Sequence, residues 1–186
     1  MVELRGGLVR DILEQLDSDT TPDGERIRQL VPPATRTFVE ECSRTDWIDA
    51  EHMLNIDQAL LDVLGEEGFV QYWTEFAGRG TDIPVLRPIF AATMRLLVSP
   101  WLVCKSLPRV YGAMVHGVGD MVLEKQGTRS AVFTINECDD FSRPNLFGLA
   151  NLGGIQGGFA LAQSKAEVSY EMIEDEHVTL RYPISW

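Results

Sequence analysis

From residue 120 onward the chain stops reading as helix, and this change of texture restricts its fold more than any other feature. Residues 120–125 and 130–136 are short runs rich in β-branched and apolar side chains. Gln126-Gly127-Thr128 lies between them, so the pair reads as a hairpin. Residues 167–173 alternate polar and apolar, as do 177–182, with Glu174-Asp175-Glu176 at the tip of a second hairpin. The stretch between the hairpins, 146–163, reads as a helix. A β-β-α-β-β order favours a four-stranded antiparallel sheet with helices on one face, an α+β fold.

The upstream residues supply that helical layer. Leu8, Ile12 and Leu16 fall four apart, with Val9 and Leu13 beside them, so the chain opens on an amphipathic helix. Residues 18–24 read as a turn, followed by a short helix at 25–30, and Pro32-Pro33 starts the next. A helix over 48–64 turns Leu54, Leu60, Leu61 and Leu64 inward, with Gly65 as its C-cap. An aromatic helix over 68–76 carries Phe69, Val70, Tyr72, Trp73 and Phe76. Thr81-Asp82-Ile83-Pro84 starts another, whose run 85–98 is mostly apolar. Ser99-Pro100 and Ser106-Leu107-Pro108 each read as a fresh helix start. We expect one domain over 1–186, mainly helical to 118 and β-β-α-β-β from 119.

Charge and composition exclude several classes of function. With 45% hydrophobic and 24% charged residues the chain can bury a core, so disorder is not expected. A net charge of -12 repels phosphate backbones and anionic lipid, which argues against nucleic acid and membrane partners. The weakly charged stretch 144–164 is too rich in glycine and amide side chains for a membrane span. Cys42, Cys104 and Cys138 are scattered without a Cys-x-x-Cys pair, and no signal peptide is evident, so a cytoplasmic location is expected. Phosphate loops, dinucleotide fingerprints, nucleophile elbows and His-Glu-x-x-His are missing, and His52, His116 and His177 share no spacing. We therefore expect no enzyme, no metal and no cofactor.

Two constellations remain. In the helix between the hairpins, Ala150, Gly154 and Gly158 fall four apart, with Gly153 and Gly157 alongside. Each glycine costs about 1 kcal/mol against alanine inside a helix. Such a face needs a reason: close packing, including against a second subunit, or room for a ligand. Ala150, Gly154 and Gly158 are the expected interface. An apolar pocket is expected from Phe69, Trp73, Phe90, Met94, Trp101 and Phe133, with Cys104 and Met114 beside them. Tyr111 or His116 would form its polar end.

Several strings carry a resemblance. Arg5-Gly6-Gly7, Leu64-Gly65, Leu107-Pro108-Arg109-Val110-Tyr111, the Gly153–Gly158 run and the terminal Tyr182-Pro183-Ile184-Ser185-Trp186 resemble an uncharacterised family of myxobacterial paralogues. The C-terminal half resembles the 4-vinyl reductase type of small-molecule-binding domain. More distantly it is similar to the superfamily of haem nitric-oxide-binding domains and TRAPP tethering subunits. The resemblance implies a helical layer over a four-stranded antiparallel sheet, an apolar cavity between them, and binding or assembly in place of chemistry. The haem-binding branch holds propionates with Tyr-x-Ser-x-Arg and iron with a histidine. This chain has no such motif, and nothing in the sequence partners His116. The expected function is a non-enzymatic domain that binds or senses an apolar small molecule in bacterial signalling. The alternative is a protein-interaction module with a filled core, forming a homodimer or docking a signalling protein.

Overall fold

Residues 1–80, 87 and 99–186 are described by the computed structural model. The helix start at 81–84 and the apolar run 85–98, with Phe90 and Met94, lie outside the described residues; within that stretch only Arg87 is described, helical and exposed.

Strand β1 (Glu3–Arg5) leads into α1 (Gly6–Ser18), whose Leu8, Val9, Ile12, Leu13 and Leu16 are all buried, as their spacing requires. Helix α2 (Pro22–Leu30) begins three residues before its expected start. Thr21 caps it, accepting from the Gly24 amide at 3.1 Å, and Pro22 fits the first turn, so Gly24 belongs to the helix and not to a turn. Helix α3 (Pro33–Glu41) follows.

Residues 47–49 form a strand, β2 (Trp47–Asp49), where the sequence suggested the start of a helix. Asp49 then accepts from the Glu51 amide at 2.9 Å and launches α4 (Glu51–Gly78). Gly65 interrupts α4 with φ 69° and ψ 175°, dividing it into limbs 51–64 and 66–78. Glycine adopts that conformation without the strain a Cβ would bring, and so ends the first limb where a C-cap was expected. Helix α5 (Pro100–Met114) runs unbroken through Pro108, where a fresh start was expected. A proline inside a helix forfeits one backbone bond, and burial of Val103, Leu107, Val110 and Tyr111 offsets it here.

Strand β3 (Val115–His116) follows α5 directly and pairs with β1, which also pairs with β2. Leu4, Ile48 and Val115 form the buried face of this small antiparallel sheet. Strands of two or three residues carry no alternation, so the sheet left no mark in the sequence.

The main sheet contains β4 (Met121–Lys125), β5 (Ser130–Ile135), β6 (Glu167–Val168), β7 (Glu171–Glu174) and β8 (Val178–Ser185), all antiparallel. Its order is β4-β5-β8, with β6 and β7 end to end along the far edge of β8. The register is continuous across the gap, because Val168 faces Ile184 and Glu171 faces Arg181. Pro183 accounts for the interruption. Its carbonyl accepts from the Ser169 amide at 3.1 Å, but it has no N–H to return. The sheet is therefore the expected four-stranded one with a proline-notched edge.

On the inner face Phe133, Tyr182 and Tyr170 stack at 6.0 and 5.5 Å. Helix α6 (Pro144–Leu161) lies across this face, held by a bond from the Tyr182 hydroxyl to the Gly148 carbonyl at 3.2 Å. The fold is α+β, with an N-terminal helical layer packed on a C-terminal antiparallel sheet. No helix among the described residues is long and apolar enough to cross a membrane.

Candidate functional site

A cavity of about 100 Å³ lies where the two limbs of α4, helices α5 and α6, and the small sheet meet. Leu4 and Val115 bring the small sheet to its wall. Leu54 and Trp73 come from the two limbs of α4, Leu107 and Tyr111 from α5, and Phe147 from α6. No residue of the main sheet lines it, so the space is walled by helices and the small sheet, not by helices and the main sheet as expected.

The glycine-rich helix has two different faces. A Cβ on Gly153 would sit 2.5 Å from the Trp73 Cβ and the Val70 carbonyl oxygen, and one on Gly157 would sit 2.4 Å from the Thr74 carbonyl oxygen. Those two glycines let α6 press backbone to backbone on the second limb of α4. Ala150, Gly154 and Gly158 face the cavity. Among the described residues, a Cβ on Gly154 would meet only the Tyr111 hydroxyl, at 3.5 Å, and one on Gly158 would meet nothing within 4 Å. The three positions expected at a subunit interface therefore border internal space.

Three residues make the apolar wall locally polar. Asp57 is 1% exposed, and its Oδ1 accepts from the Trp73 indole N–H at 3.1 Å. Burial pushes its carboxyl well above the ordinary carboxylate range, against the opposing pull of the Trp73 bond and the Arg143 charge. Tyr111 donates to the Asn151 carbonyl at 3.3 Å, and burial raises its phenol above the usual value. Asn151 is itself buried.

Of the residues expected in a pocket, Trp73, Tyr111 and Met114 line this one. Phe69 and Phe133 are fully buried in the core without reaching it. Cys104 is also buried away from the cavity, and burial pushes its thiol up to about 11, so it packs as a small hydrophobe. Trp101 stacks on Trp186 at 6.4 Å, with Lys105 and Lys125 each 5.4 Å from its ring. His116 is exposed and stacks on Trp47 at 3.4 Å, with Arg5 3.9 Å from the same indole, so it is not the polar end of the cavity. Asp57 is the polar group that sequence reasoning missed. Its signal was a carboxylate three and four residues from Leu54, Met53, Leu60 and Leu61, inside a stripe that should be apolar throughout.

No protein-family model and no curated protein matches the sequence. Several solved structures match the fold. A doubly substituted H-NOX domain superposes with a TM-score of 0.60 at 14% identity, over 98% of this chain and 95% of that one. A substituted T. tengcongensis H-NOX gives 0.57 at 13%, over 98% and 97%. An oxygen-binding H-NOX domain related to soluble guanylate cyclases gives 0.52 at 10%, over 97% and 90%. At such identities the likeness is one of fold. Among the resemblances read from the sequence, the haem nitric-oxide-binding one is supported.

Haem does not fit the described residues of the cavity. The described wall of the cavity holds no histidine to ligate iron and no lysine or arginine to meet propionates; its single ionisable acid, Asp57, would repel them. The volume is also far below the roughly 300–1,000 Å³ of sites for drug-sized ligands. Haemin added to the purified protein is expected to keep the spectrum of free haemin. A sharpened, stoichiometric Soret band would contradict this.

Proposed function

We propose that this chain is a non-enzymatic small-molecule-binding domain of bacterial signalling that has kept the H-NOX fold and uses its internal cavity for an apolar ligand smaller than haem. The observation that carries this reading is the open face of α6. Glycines inside a helix weaken it, yet among the described residues a Cβ on Gly158 would meet nothing within 4 Å and one on Gly154 only a hydroxyl. Packing does not require a missing side chain at either position, and room for a guest does. The volume agrees, since an apolar cavity of about 150 Å³ takes up benzene or xenon.

Native mass spectrometry of the purified protein, with solvent extraction of whatever it carries, tests the reading directly. Gly158→Met supplies the control by filling the space. It is expected to lower the affinity for any such ligand about tenfold or more, while leaving the melting temperature unchanged or slightly raised. A variant that binds as well as the parent would refute the cavity as the site.

A further inference from the structure

The cavity combines one carboxyl with a wall of rings, and that pairing says more about its guest than the apolar surface does. Trp73, Phe76, Tyr111, Phe141 and Phe147 all contribute to the wall. Among the described lining residues Asp57 is the sole carboxylic acid, and none of them is a cation. Its only hydrogen bond among the described residues is the one from Trp73, a neutral donor that occupies Oδ1. Oδ2 is left without a partner on a side chain that is 1% exposed. A buried carboxyl ionises only against a counter-charge, and the faces of aromatic rings attract cations.

We infer that the guest is a small organic ammonium, an alkyl or arylalkyl amine of about benzene's size or less, whose N–H groups bond Asp57 while its apolar part lies among the rings. This rests on the cavity being a binding site, as proposed above. The surrounding charges permit it. Arg143, just before α6, donates to Glu51 and, at 2.9 Å, to Asn55, so its guanidinium is already engaged at the protein surface. Among the described residues, the other titratable groups near Asp57 are the phenols of Tyr72 on α4 and Tyr111 on α5, both held neutral by burial. A net charge of -12 raises the local concentration of cations around the whole molecule.

The proton balance distinguishes an ammonium from a neutral guest. Burial raises the Asp57 carboxyl, so the empty cavity favours its protonated form. Entry of R-NH3⁺ forms N–H···O bonds to the carboxylate and sends the carboxyl proton to solvent. A neutral acceptor such as an alcohol or ketone would bond to the protonated carboxyl and release none.

Isothermal titration of the full chain with isobutylamine and with isobutanol, near neutral pH in two buffers of different ionisation enthalpy, tests the inference. The amine is expected to bind about tenfold or more tightly than the alcohol and to release whatever proton the empty carboxyl holds, at most one. Asp57→Asn is expected to remove that preference and the proton release with it. Equal or tighter binding of isobutanol would overturn the ammonium assignment and leave the cavity reading intact. Binding of neither would overturn both. The comparison in the parent protein holds even if Asp57→Asn fails to fold.

Discussion

Alanine at Gly153 or Gly157 is expected to lower the melting temperature, and alanine at Gly154 or Gly158 to raise it, although all four sit on one helix. The first pair lies under the second limb of α4. There an added Cβ meets backbone at 2.4–2.5 Å, which no rotamer change can relieve, so the two helices must separate. Overpacking of that kind costs about 2 kcal/mol, a fall of about 4–8 °C for a domain of this length. The second pair meets open space or a hydroxyl at ordinary contact distance. There alanine simply removes the helix penalty of glycine, a gain of about 1 kcal/mol or about 2–4 °C. Thermal unfolding followed by circular dichroism measures all four. If both pairs shift in the same direction, the division of the helix into a packed face and an open face is wrong.

The second large effect depends on pH. Asp57 has a folded-state carboxyl raised above its unfolded value. Below the unfolded value both states hold the proton, and its contribution to stability is fully present. As the pH climbs from there through the raised folded value, the unfolded chain releases a proton that the folded chain keeps. Stability then falls by up to about 1.4 kcal/mol per pH unit. Asp57→Asn keeps an oxygen for the Trp73 indole but has no proton to lose. Urea unfolding of both proteins at a series of pH values from 4 to 8 is expected to show the parent losing stability relative to the variant as pH rises. A constant difference between them would mean that Asp57 is solvated in the folded state.

The main sheet was legible because its strands are long enough to alternate, and the central helix because Pro144 suits a first turn and no proline follows it before residue 161. Gly65 was legible as a helix end since little else suits that position. The small sheet was not, because β1, β2 and β3 are too short for a period to emerge, and residues 48–50 run into a helix. Pro108 misled in the other direction. A proline is a good local stop signal, but tertiary burial of its neighbours carries α5 through it. At the site, the apolar wall was partly legible from Trp73, Tyr111 and Met114. His116 drew attention because histidine so often ligates, yet strand pairing with Glu3 places it outside. Asp57 is the opposite case: only the neighbours on its own helix face betray it. The two faces of the glycine helix are separated by a single residue of rotation, and no sequence pattern distinguishes a face that touches backbone from one that touches nothing.

The interruption at Gly65 has a mechanical meaning. Among the described residues, no atom beyond its own stretch of helix lies within 4 Å of where its Cβ would be, so those residues do not wedge the bend in place. Asp57 belongs to the limb before it and Trp73 to the limb after, and their hydrogen bond spans the joint like a strut. The fold thus contains an elbow whose brace ends at the wall of the cavity. Any occupant that takes hold of the carboxyl also loads that brace, which ties the chemistry of the chamber to the angle of the longest helix described in the protein.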